Sequence, residues 1–189
     1  MKELPSPLIN ATHTRGNDWF EQSRVHSLNN NSVKALECIN QALMSDPHNA
    51  QFLQEKAQLL FTRRQFSDAI ELYDQILRDG SHPALDTIWY NKALAVYSEK
   101  EDLTQALVCL TKATDMNPRE KTYWLLKSKI LNNMNRPQES LKAAEELFNL
   151  DPHDKLTWQW KAELLADMGN IEEANRWYQK IEQALGLQQ

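Results

Sequence analysis

Glycine is nearly missing from this chain, with four residues in 189. Phosphate-cradling loops depend on clustered glycines whose backbone can approach the anion, so no such loop is expected. A basic excess is also missing: 21 Lys and Arg stand against 26 Asp and Glu, a formal net charge of −5. A nucleic-acid surface needs clustered cations to release counterions, and no nucleic-acid partner is expected. No apolar run approaches the roughly 20 residues that span a bilayer, and residues 1–7 hold no hydrophobic segment. The chain is therefore expected to be soluble and cytoplasmic, with no membrane span. Cysteine is limited to Cys38 and Cys109, read as reduced, buried thiols.

What the chain does have is a period. Trp19, Leu53, Trp89, Trp124 and Trp158 recur at intervals of 34, 36, 35 and 34 residues. Ala35, Ala69, Ala106, Ser140 and Ala174 follow at 34, 37, 34 and 34. Pro47, Pro118 and Pro152 keep the same beat with one unit skipped. A fixed period of this length marks one supersecondary unit stacked several times. Five units follow: 17–49, 50–84, 85–120, 121–154 and 155–189. Each holds two helical patterns separated by a polar break, such as Asn29-Asn30-Asn31, Asn135 or Gly169-Asn170. Asparagine and glycine tolerate the left-handed conformation that ends a helix. The second helices stop before Asp46-Pro47, Asn117-Pro118 and Asp151-Pro152, because proline disfavours helix in the residue before it. Residues 1–16 lie outside the period. Pro5, Pro7 and Gly16 oppose helix there, so this stretch is expected to be a flexible lead, with Pro5 to Leu8 as an alternative occupant of another copy's groove.

In these positions the chain resembles the tetratricopeptide repeat, a 34-residue pair of antiparallel helices. The family's bulky fourth position holds the tryptophan series. Its small eighth position holds Ser23, Ala57, Ala93, Ser128 and Ala162, and its small twentieth holds the alanine series. The resemblance covers residues 17–186 and implies an all-α fold, a right-handed superhelical solenoid of five antiparallel helix pairs in a single domain, 17–189. The tryptophans are expected in the core. The family's seventh position is usually leucine, and here it holds Gln22, Lys56, Lys92, Lys127 and Lys161. Their stems are expected between helices with the ammonium heads at the edge; the alternative is a basic stripe for an acidic partner.

The resemblance also implies a concave groove lined by the first helices of successive units. Carried over by position, its lining includes Phe20 and Arg24, then Gln54, Gln58 and Phe61, then Tyr90, Asn91, Leu94 and Tyr97. It continues with Leu125, Leu126, Lys129 and Asn132, and ends with Trp160. Apolar anchors beside neutral amides suit a protein or peptide segment with apolar side chains, bound with little dependence on salt. The subtype that clamps the acidic C-termini of heat-shock chaperones is excluded. Its lysines, asparagines and arginine fall on Phe20, Arg24, Glu55, Thr87 and Asn91 in one frame, and no other frame fits. A second candidate surface is the last helix, where Trp177, Ile181 and Leu185 form one apolar stripe. Trp177 would be covered either by a partner or second copy, making a homodimer, or by folding back.

No catalytic residue, metal ligand or cofactor site is expected. His13, His26, His48, His82 and His153 are scattered, and none are paired at the spacing of a helical metal site. The expected function is a non-enzymatic interaction module: an adaptor, chaperone or complex-assembly factor. The alternatives are a scaffold that self-associates through its last helix, or a regulatory subunit of an enzyme complex.

Overall fold

The computed structural model describes residues 7–99 and 102–186, and the backbone alone over 7–14. Among these residues there are ten α-helices and no strand. They run α1 (Pro7–Leu28), α2 (Ser32–Ser45), α3 (Ala50–Thr62), α4 (Phe66–Asp79), α5 (Leu85–Glu99), α6 (Leu103–Met116), α7 (Lys121–Asn133), α8 (Pro137–Leu150), α9 (Lys155–Asp167) and α10 (Ile171–Leu185). Two compact units divide them, Met1–Glu99 and Lys100–Gln189. The first holds α1 to α5 and the second α6 to α10, so the expected third repeat is split between them. Within each unit, consecutive helices pack on one another.

The helix ends follow from local chemistry. Asn31 and Asn49 accept from the backbone N–H of Lys34 and of Gln51 and Phe52. Asp102 and Asp154 do the same for Gln105 and Leu156. Each cap answers donors that a helix N-terminus leaves open. Inside the pairs α1/α2, α3/α4, α7/α8 and α9/α10, the turn passes through a left-handed residue: Asn30, Arg64, Asn135 or Gly169. In each turn the next N–H reaches back five positions into the preceding helix, as Gln65 N does to Leu60 O at 2.9 Å.

The small positions are the helix contacts. All five residues at the eighth position and all five at the twentieth are buried. Where serine replaces alanine, its hydroxyl finds a partner across the pair: Ser23 Oγ donates to Ala35 O at 2.9 Å, and Ser140 Oγ to Ser128 O at 2.8 Å. A buried hydroxyl needs such a bond. In the first unit Leu53, Ala57, Leu60, Ala69, Tyr73, Ile76 and Ile88 form one cluster, and Ala35, Ile39, Ala42, Phe52 and Leu59 a second.

Two expectations need correction. Residues 7–16, read as part of a flexible lead, are helical, because α1 begins at Pro7; residues 1–6 lie outside the described residues. Gly16 is buried in α1. A Cβ there would collide with the Ser45 hydroxyl and sit 3.6 Å from the Phe52 ring. Close packing on its neighbours outweighs the roughly 1 kcal/mol that glycine costs a helix. The tryptophans are also less uniform than a core series. Trp158 is buried, while Trp19, Trp89 and Trp124 are half-buried. Trp124 and Trp158 donate Nε1 to the carbonyls of Pro118 and Pro152, both at 2.8 Å. The indole thus packs on one face and pins the connector before its helix.

Candidate functional site

In the first unit, α1, α3, α4 and α5 enclose two adjoining cavities. One, of about 330 Å³, is bounded by Ser27, Glu55, Gln58, Leu59, Phe61, Thr62, Tyr73, Asn91 and Leu94. The other, of about 470 Å³, is bounded by Phe20, Glu21, Arg24, Gln51, Gln54, Glu55, Gln58, His82 and Pro83. Glu55 and Gln58, one turn apart on α3, border both. Phe20 packs on Phe52 with ring centres 5.2 Å apart, and Phe61 packs on Phe66 at 5.3 Å. These rings fix the walls without filling the space between them.

The polar groups on these walls are unevenly satisfied. Arg24 lies 3.4 Å from Glu21, with both side chains exposed. Burial pushes the Glu55 carboxyl above its ordinary value; Arg24 opposes that shift and Glu21 adds to it. His82 is buried, and its Nδ1 accepts from the Ala84 N–H at 3.1 Å. Asn91 Nδ2 is buried and has no hydrogen-bond partner among the described residues. A buried donor left unmade costs about 1–3 kcal/mol.

Seven of the expected groove residues therefore border the two cavities: Phe20, Arg24, Gln54, Gln58, Phe61, Asn91 and Leu94. Tyr90 and Tyr97 are half-buried on α5 and border neither. The expected residues of the second unit are arranged differently. Leu126 is 7% exposed and belongs to the core, not to a groove wall; a leucine gains by burial what the polar Glu55 and Asn91 at the same repeat position cannot. Trp160 is half-buried and donates Nε1 to Ser128 Oγ at 2.8 Å, with the Lys129 ammonium 6.0 Å from its ring centre. Leu125 and Asn132 are half-buried.

The last helix folds back. The Trp177 ring meets Phe148 edge-on at 5.4 Å and lies 6.5 Å from Trp158. Lys180 reaches the same rings, at 4.4 Å from Trp158 and 4.7 Å from Trp177. Ile181 is half-buried, and Leu185 is 52% exposed. Trp177 is thus packed in part against its own unit and remains half-buried, and the exposed end of the expected stripe is Leu185.

Three of the seventh-position lysines, Lys92, Lys127 and Lys161, pack against neighbouring side chains. Lys92 is buried and ion-paired to Asp74. Lys127 Nζ donates to Thr114 Oγ1 at 3.3 Å and sits 5.0 Å from the Trp124 ring centre. Burial holds its pKa below the ordinary lysine value, against the pull of Asp115. Lys161 lies 3.6 Å from Glu145 and 5.1 Å from the Trp177 ring centre. A cleft of about 280 Å³ beside Trp124 and Lys127, edged by Glu139, Lys142 and Glu146, was not foreseen in the sequence. Neither cysteine forms a disulfide, and both are buried. Among the described residues no group of three or more His, Cys, Asp or Glu is placed to hold a metal, and no helix is long and apolar enough to cross a membrane.

With this geometry in hand, comparison with known proteins is informative about the fold. The tetratricopeptide-repeat family model matches residues 22–83 and 55–107. No curated protein sequence matches the chain. Among solved structures, MamA superposes with a TM-score of 0.79 at 15% identity, over 89% of this chain and 91% of that one. MamA 41-end from Desulfovibrio magneticus RS-1 gives 0.82 at 14% identity, over 92% and 97%. YrrB, described as a TPR protein with an unusual peptide-binding site, gives 0.72 at 18% identity, over 87% and 84%. These likenesses place the chain in the all-α class of tetratricopeptide-like superhelical solenoids, and its ten helices fit about five repeats.

Proposed function

We propose that this tetratricopeptide-repeat protein is a non-enzymatic interaction module, an adaptor, chaperone or complex-assembly factor, that holds a partner's segment in the groove of its first unit. The observation that carries this reading is Asn91. Asn91 borders the smaller cavity, and its buried Nδ2 has no acceptor among the described residues. A folded chain keeps an open donor in a cavity at a cost to stability, and a peptide carbonyl would satisfy it. Phe20, Phe61 and Leu94 supply apolar wall, and Gln54 and Gln58 supply further amides. This is the mixture of anchors and polar rim that partner sites use. The likeness in fold to YrrB, itself described by a peptide-binding site, accords with a peptide ligand. Buried cysteines that form no disulfide suit a reducing, cytoplasmic setting.

The test is affinity capture from the source cell with wild type and Leu94→Arg side by side. Leu94 borders the smaller cavity, and an arginine there would fill it. Partners lost only from the variant support the groove. Identical recovery with both proteins, at equal helicity by circular dichroism, would remove it. A second reading, self-association through α10, is favoured by the exposed Leu185 and Ile171. Light scattering on wild type and Leu185→Glu decides it: a monomer in both ends the idea.

A further inference from the structure

The groove has an acidic side chain that no hydrogen bond or ion pair engages among the described residues. Glu55 borders both cavities and is half-buried. No hydrogen-bond donor or ion-pair partner reaches its carboxylate among the described residues. The charged groups facing it from α1 are Arg24 and Glu21, and Arg24 is engaged with Glu21 at 3.4 Å. From the connector before α5 comes His82, with Nδ1 committed to the Ala84 N–H. From α4 comes the buried phenol of Tyr73, and from α5 the uncharged Asn91 and Leu94. Acids outnumber permanent cations on these walls, Glu21 and Glu55 against Arg24.

A half-buried carboxylate without a donor is relieved by a cation that brings hydrogen bonds with it. On the same cavity, Asn91 Nδ2 offers an N–H without an acceptor. The missing counterpart must bring a cationic donor for one and a carbonyl oxygen for the other. A peptide residue with a basic side chain carries both. A wholly apolar segment lacks the first, and an acidic one would meet repulsion.

Resting on the groove reading, we infer that the partner segment carries a lysine or arginine whose cationic head meets Glu55 while a nearby backbone carbonyl accepts from Asn91. The ligand class is thus an apolar segment with one basic residue. A free peptide amino terminus offers the same cation from another source, and the experiment separates the two.

The full chain is immobilised and challenged with pools of nonapeptides, randomised over uncharged residues. Three pools are capped at both ends and carry lysine, norleucine or glutamate at the centre. A fourth has a norleucine centre and a free amino terminus. Wild type is expected to retain the lysine pool several-fold over the norleucine pool and to retain the glutamate pool least. Glu55→Gln, checked for helicity, should bring the lysine-to-norleucine ratio to about one. Glu172→Gln makes the same charge change on α10 in the second unit and should leave the ratio intact. Independently of any variant, added salt should shrink the ratio. Asn91→Leu should lower retention of every pool. Equal retention of the lysine and norleucine pools by wild type, with Asn91→Leu lowering both, would overturn the cation while leaving the groove. A lysine preference that survives Glu55→Gln would also overturn it. Retention confined to the free-terminus pool would overturn the side-chain source. No retention above the blank, or none lost in Asn91→Leu, would remove the groove itself.

Discussion

The same repeat position has opposite fates in the two units. In the first, the sixth position holds Glu21, Glu55 and Asn91, and beside them the helices leave open cavities. In the second it holds Leu126 and Trp160; one joins the core and the other closes onto Ser128. The helices, caps and small-residue contacts are alike in both. The difference lies in whether the side chains at that position can be satisfied by their own unit. Repeat geometry therefore places a residue at the groove, and its chemistry decides whether the groove stays open.

The largest expected effect tests the closed side. Trp158 is 6% exposed, packs near Trp177 and Lys180, and donates to Pro152. Trp158→Ala should cost about 3–5 kcal/mol in denaturant unfolding, and clearly more than Trp19→Ala in the open unit, whose ring is only half-buried. Equal losses would break the distinction between a filled and an open surface. Next comes a change that makes the open unit resemble the filled one. Asn91→Leu puts at that position the residue found at 126 and removes an unmade donor. It should raise stability by about 1 kcal/mol, read from the denaturation midpoint at constant slope. A loss of similar size would mean that Asn91 has a structural partner.

Trp160→Phe keeps an aromatic ring but loses the indole N–H that donates to Ser128. About 1 kcal/mol should be lost, and no change would show that the filling is packing alone. The smallest effect is at Glu55. Its carboxyl is raised by burial, so the folded state disfavours the charged form. For a raised carboxyl the penalty is absent below the unfolded value and grows as pH rises through the folded one. Glu55→Gln should therefore be slightly more stable at neutral pH, by well under about 1 kcal/mol. The gap should close on acidification. A gap that widens in acid would reverse the assignment.

Much of this architecture was legible because it repeats. Ser23, Ala57, Ala93, Ser128 and Ala162 are small for one geometric reason, and each is buried. The helix breaks at Asn30, Asn135 and Gly169 were legible from their tolerance of the left-handed region. Arg64 was not, since nothing in an arginine signals that role, and the turn places it there by register. The start of α1 escaped because Gly16 owes its place to Ser45 and Phe52, far along the chain. The groove was read as neutral and apolar because its expected lining was chosen for anchors and amides. The lack of a partner at Glu55 depends on where Arg24 turns. That is a property of packing, invisible in spacing.

The two cysteines fall one to each unit, Cys38 in α2 and Cys109 in α6, and both are buried outside any disulfide. Burial also pushes the Cys38 thiol up, which further slows its reaction. Neither sulfur can meet an alkylating reagent until its own surroundings open. The chain thus carries two chemical clocks, one in the open unit and one in the filled unit. Their relative rates report which half breathes first, with no label added to the protein.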